Sequence, residues 1–138
     1  MTITAHSLKN YQVEIRAGNH IFLSDEPTGI GDDKGPGPFD LLLSSLASCT
    51  IITLQMYARR KDWPLELVEA EVFILEDQSI PNCLNETCHQ IAINLKLHGP
   101  LSAEQIVRLE EIASRCPVHR FLKGDIQILT KAQGISAP

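Results

Sequence analysis

Apolar side chains recur along this chain at two spacings. Alternation marks the strands. Tyr11, Val13 and Ile15 share one face of Tyr11–Arg16, Ala17-Gly18-Asn19 reads as a turn, and His20–Leu23 returns as the second arm of a hairpin. Thr2–Ser7 adds an edge strand. Further on, Glu66–Leu75 places Val68, Ala70, Val72 and Ile74 on one side and Glu69 and Glu71 on the other. Gln90–Leu97 is the cleanest strand, with Ile91, Ile93, Leu95 and Leu97 in step. Ile126–Thr130 reads as a last strand.

Between these lie segments of helical character. Residues 27–38 hold three prolines and four glycines and must be loop. From Phe39 to Arg60 the chain is predicted helical. Pro38 suits the first turn, Asp40 the positive end of the dipole, and Arg59, Arg60 and Lys61 the negative end. Leu41, Leu42, Leu43, Leu46, Ile51, Ile52, Leu54 and Met56 leave it almost no polar side, so it belongs inside a fold or an oligomer. Ser102 followed by Gln105 forms a capping box for a helix running to about Ala113, with Leu101 able to staple onto Ile106. Arg115-Cys116-Pro117 interrupts it, and Pro117 opens a short helix that closes at Gly124. The order predicts one α+β domain over residues 1–138, with strands wrapping a central helix.

Composition narrows the function classes. The chain has 138 residues, 43% hydrophobic, and a formal charge of −5, which gives no electrostatic grip on nucleic acid or an anionic membrane. Its first ten residues lack the layout of a signal peptide, and no apolar run approaches the roughly 18 residues of a membrane helix, so a cytoplasmic protein is expected. In that setting Cys49, Cys83, Cys88 and Cys116 are not structural staples. They are inert core residues or chemistry.

Cys49 sits mid-helix among apolar neighbours, where burial raises a thiol pKa and the dipole gives no help. It can react only if the fold brings a cation to it; Arg16, Arg115, Arg120 and Lys9 are the candidates. Cys116 precedes Pro117 at a helix start, with Arg115, His119 and Arg120 beside it, and local electrostatics favour its thiolate. Cys83 and Cys88, with His89, fall in a loop; a zinc site there lacks the usual spacing and a fourth ligand, so no metal is expected. No Cys-x-x-Cys and no phosphate-binding glycine loop occur. Ser44, Ser45 and Ser48 read as small residues that permit close helix packing.

Two stretches resemble a known family. Gly37-Pro38-Phe39-Asp40-Leu41-Leu42-Leu43-Ser44-Ser45-Leu46-Ala47-Ser48-Cys49-Thr50 is similar to the first signature of OsmC/Ohr proteins, and Ala113-Ser114-Arg115-Cys116-Pro117-Val118-His119 to the second. The element order agrees over roughly residues 10–132. The resemblance implies an intertwined homodimer with the long helices buried and two sites at the interface. It implies thiol peroxidase chemistry without a cofactor. Cys49 attacks a hydroperoxide, Cys116 resolves the sulfenic acid as a disulfide, and an external dithiol reduces it.

The chain also departs from the organic-hydroperoxide branch. There a glutamate ten residues before the reactive cysteine orients a catalytic arginine; here that position is Phe39. Asp40 lies nine residues before Cys49, about 180° round the helix, which suits a role at the helix terminus. Among the cations, Lys9 and Arg16 lie in the early strand and turn region that carries the family arginine. The match is to the branch with the Pro-x-acid-Leu-Leu-Leu opening. The competing readings are a noncatalytic or redox-sensing relative that binds a small apolar ligand in the dimer cleft, and a zinc-binding interaction domain using the Cys83–Cys88 loop.

Overall fold

The computed structural model describes residues 1–75 and 89–135. Its elements follow the order β1 (Ile3–Ser7), β2 (Val13–Ala17), β3 (His20–Ser24), α1 (Pro38–Arg60), β4 (Leu67–Leu75), β5 (Gln90–His98), α2 (Ala103–Ala113) and α3 (Pro117–Lys123). The loop assigned to residues 77–88, with Cys83 and Cys88, lies outside the described residues.

β1, β2 and β3 form an antiparallel sheet in that order, with Ile15 opposite both Ala5 and Phe22. Tyr11 does not extend β2 as its alternation suggested. It belongs to the turn in which the Leu8 N–H donates to the Gln12 carbonyl at 2.8 Å, with Asn10 in the left-handed region at φ 55°. β4 and β5 form a separate antiparallel pair, Val68 facing Leu97 and Val72 facing Ile93.

The loop into α1 is built round one carboxylate. Asp25 is buried, and its oxygens accept the backbone N–H groups of Glu26, Asp32 and Lys34 at 2.8, 3.2 and 3.1 Å. A buried carboxylate needs such donors to offset its lost hydration. Pro38 then starts α1, and the Asp40 carboxylate accepts the Gly37 N–H at 2.9 Å, closing the first turn. Asp40 therefore serves the helix terminus.

α1 packs against β4, α2 and α3. Its buried positions are Leu46, Thr50, Leu54 and Ala58, a stripe with a step of four. Leu54 joins Val68, Leu109, Ile112 and Ala113 in the core, ringed by Ile51, Tyr57, Trp63, Leu65, Leu95, Leu97 and Leu101. Tyr57 meets Trp63 edge-on at 5.4 Å and accepts the Arg108 Nε–H at 3.2 Å, which ties the end of α1 to α2. Gly99 permits the turn from β5 to α2: its φ is 131°, and a Cβ there would run into the Pro64 carbonyl. The capping box of α2 forms as expected, with the Gln105 N–H donating to Ser102 Oγ at 3.1 Å.

Within one chain Phe39, Leu42, Ile52 and Met56 of α1 are exposed. Two expectations need correction. α1 is long and apolar enough to cross a membrane by length and composition, with mean hydropathy 1.5, because its leucines and isoleucines outweigh the serines and threonines that break the run. Ile126–Thr130 forms no strand, and Ile126, Ile128 and Leu129 are exposed. A strand requires a neighbour for its backbone groups, and this segment pairs with none among the described residues. The β1–β3 sheet also lacks packing comparable to that of the β4–β5 pair on α1.

Candidate functional site

The two helices that carry Cys49 and Cys116 are packed together. Cys49 projects half-buried from the middle of α1, and both thiols are free. Cys116 is wholly buried at the N-cap of α3, where its sulfur accepts the His119 backbone N–H at 3.2 Å. Pro117 lacks an N–H, so the first amides of α3 available to a sulfur are those of Val118 and His119. His119 serves Cys116 and Val118 serves Cys49.

Burial pushes the Cys49 thiol above its ordinary pKa. The Val118 amide works the other way. The neighbouring Cys116 thiol raises it further by contact and charge, and the Thr53 hydroxyl lowers it. Cys116 is therefore close enough to act directly on the Cys49 sulfur, although 67 positions separate residues 49 and 116 in sequence. Such a pair can pass between dithiol and disulfide.

Among the described residues of the chain, no cation is one of the groups that act on Cys49. Lys9 is exposed in the β1–β2 turn. Arg16, on β2, is held by Glu14, with Nη2 at 3.0 Å and Nε at 3.2 Å from its carboxylate. Arg120 is exposed on α3, its N–H donating to the Cys116 carbonyl at 3.1 Å, and Arg115 is exposed before it. Among the described residues no group of His, Cys, Asp and Glu is arranged to hold a metal, and the Cys83–Cys88 loop lies outside them.

Two groups escaped the sequence reading. Thr53 stands one helical turn beyond Cys49, a spacing that could have flagged it. The Val118 amide had no signal beyond its place after Pro117.

A family model described as OsmC-like protein matches residues 31–131. The chain belongs to the OsmC-like family. Among solved structures, an OsmC-like protein from Mycoplasma pneumoniae is similar at 25% identity, covering 89% of this chain and 86% of that one, with TM-score 0.73. An organic hydroperoxide resistance protein OsmC from Legionella pneumophila, also described as a predicted redox protein, shares the fold at 21% identity, 89% and 88% coverage and TM-score 0.63. The organic hydroperoxide resistance protein OhrB of Bacillus subtilis shares it at 20% identity, 90% coverage of each chain and TM-score 0.58. No curated protein sequence matches this chain. The OsmC-like fold is thus one whose solved members include proteins named for hydroperoxide resistance and redox function.

Proposed function

We propose that this OsmC-like protein is a cytoplasmic two-cysteine peroxidase that reduces organic hydroperoxides. The observation that carries the reading is the half-buried Cys49 thiol with the buried Cys116 thiol against it. The Cys49 thiolate attacks the terminal peroxide oxygen. The O–O bond breaks, the alkoxide leaves and takes up a proton as the alcohol, and Cys49 becomes a sulfenic acid. The Cys116 sulfur then attacks the Cys49 sulfur, and hydroxide leaves as water with the Cys116 proton. An external dithiol supplies two electrons by thiol–disulfide exchange. Differential exposure supports this order, because solvent reaches Cys49 and not Cys116. Thiol counting before and after one equivalent of cumene hydroperoxide, with nonreducing peptide mapping, should find two thiols lost per chain and a Cys49–Cys116 bridge. Unchanged thiols, or a Cys83–Cys88 bridge instead, would remove the mechanism.

The working unit is a homodimer in this reading. The exposed Phe39, Ile52 and Met56 of α1, the sparsely packed β1–β3 sheet and the apolar tail at Ile126–Leu129 call for a covering surface. In this reading a second copy supplies one, and the cation for Cys49, from Arg16, Lys9 or Arg120, comes with it. Sedimentation at micromolar concentration should give about twice the chain mass of 15.3 kDa; a clean monomer is the contrary result.

A further inference from the structure

The far end of α1 gathers positive charge in a chain that is acidic overall. Arg59, Arg60 and Lys61 close the helix, while the formal charge of the protein is −5. Cations at that end suit the dipole, and alone they would need no further account. Their placement goes further than the dipole requires. The Arg60 guanidinium lies 5.5 Å and the Lys61 ammonium 5.9 Å from the centroid of the Tyr57 ring. Arg108 arrives from α2 with its guanidinium 5.8 Å from the same centroid. Three cationic heads thus converge on one half-buried ring.

Like charges held this close repel, and the quadrupole of the ring offsets only part of that cost. Among the described residues one carboxylate, Glu111, comes within ion-pair reach of any of the three, at 2.8 Å from Arg108 Nη1. Arg60 and Lys61 have no such partner among them. Tyr57 accepts the Arg108 Nε–H at 3.2 Å and keeps its own hydroxyl hydrogen for donation. Glu111 takes one further Arg108 N–H, so most of that guanidinium's donors are still free to bind. The Arg108 hydrogen bond, with the charges of Arg108, Lys61 and Arg60, holds the Tyr57 phenol below its ordinary pKa. The cluster therefore already favours negative charge at this point of the surface. Two guanidinium forks, an ammonium and a phenol O–H suit an anion with several charged oxygens better than a lone carboxylate.

We propose that Arg60, Lys61, Arg108 and Tyr57 form a binding site for a polyvalent phosphate, of which pyrophosphate is the simplest probe. The site stands apart from the paired thiols and does not depend on the peroxidase reading. Tyr57 follows Cys49 by eight residues (57 minus 49), about 12 Å along the helix axis. The guanidinium groups take the phosphate oxygens, Lys61 adds a point charge and Tyr57 donates its O–H. Because Arg108 comes from α2 and the other three residues from the end of α1, an occupied site clamps the two helices together.

Trp63 is the single tryptophan of the chain and meets Tyr57 edge-on at 5.4 Å, so its fluorescence reads the site without a label. Pyrophosphate titrated into the wild-type protein at constant ionic strength should give a saturable change. Arg60→Gln and Lys61→Gln should each weaken binding roughly three- to tenfold, the worth of one partly exposed charge-assisted contact. Arg59→Gln is the control: it removes the same charge from the same helix end, but Arg59 is not one of the cations over the ring. It should leave the affinity nearly unchanged. A flat titration would overturn the site. So would an equal loss in Arg59→Gln, or an equal response to sodium chloride at matched ionic strength, the signature of an adventitious ion only. The second measurement follows the ultraviolet absorbance of the Tyr57 phenolate as pH rises, with Tyr57→Phe as the blank. Pyrophosphate draws on the cations that favour the phenolate, so saturating pyrophosphate should move the midpoint to higher pH; an unmoved midpoint places the anion elsewhere and overturns the proposal. Vesicles carrying phosphatidic acid separate the two sources of such a phosphate. Binding of pyrophosphate without retention on vesicles assigns a soluble ligand, and retention that is lost in Arg60→Gln assigns a lipid headgroup to the same site.

Discussion

The middle of α1 and the start of α3 hold two sulfurs in opposite circumstances. Cys116 has the local features that usually activate a thiol, a helix start and basic neighbours in sequence, yet it is sealed from solvent. Cys49 has none of them, and burial holds its thiol protonated above the usual range, yet solvent reaches it. Electrostatics read along the sequence therefore ranks the two one way, and accessibility in the fold ranks them the other. A nucleophile must first meet its substrate; its ionisation can then be assisted by groups from elsewhere.

Single substitutions give the largest expected difference. Cys49→Ser should leave peroxide essentially unconsumed, whereas Cys116→Ser should still react once and hold a sulfenic acid at residue 49, trapped by dimedone and located by mass spectrometry. If the adduct instead forms at residue 116 of Cys49→Ser, sequence-local electrostatics outranks accessibility. A smaller loss is expected for Arg16→Gln. If the missing cation arrives from the β1–β3 sheet of a second copy, kcat/KM should fall by about tenfold or more, in line with a charge-assisted contact to a partly buried group. An unchanged value would send the search to Lys9 or Arg120.

The smallest effects concern ionisation alone and are read from the pH dependence of Cys49 alkylation by iodoacetamide. The neighbouring Cys116 raises the Cys49 pKa, so Cys116→Ala should move the midpoint to lower pH. Thr53 lowers it, so Thr53→Val should move the midpoint upward, by less than about one unit for a single hydrogen-bond donor. Shifts of the same sign would mean that the two side chains act through packing rather than on the thiolate.

Local patterns made most of the elements legible. β4 and β5 alternate because one face of the pair is covered, and the Ser102–Gln105 box announces α2 on its own. Tyr11 misled because alternation cannot distinguish a strand from the turn that feeds it. Ile126–Thr130 misled for a deeper reason: alternation marks a segment that could form a strand, but a strand also needs a partner, and none lies among the described residues. The buried role of Asp25 was hidden by a loop that composition could only describe as irregular. At the site, the two cysteines stood out through motif resemblance, while the Thr53 and Val118 contributions depend on how α1 and α3 pack, which no local pattern encodes.

The sequence distance between the two sulfurs has a thermodynamic consequence of its own. A disulfide from residue 49 to residue 116 would tie off a loop of 67 residues in the unfolded chain. Restricting a loop of that size disfavours the unfolded ensemble by about 4 kcal/mol. The oxidised molecule would then melt several degrees above the reduced one. Turnover would alternate the protein between a looser reduced form and a sturdier oxidised form, so a thermal melt would report its redox state without any chemical label.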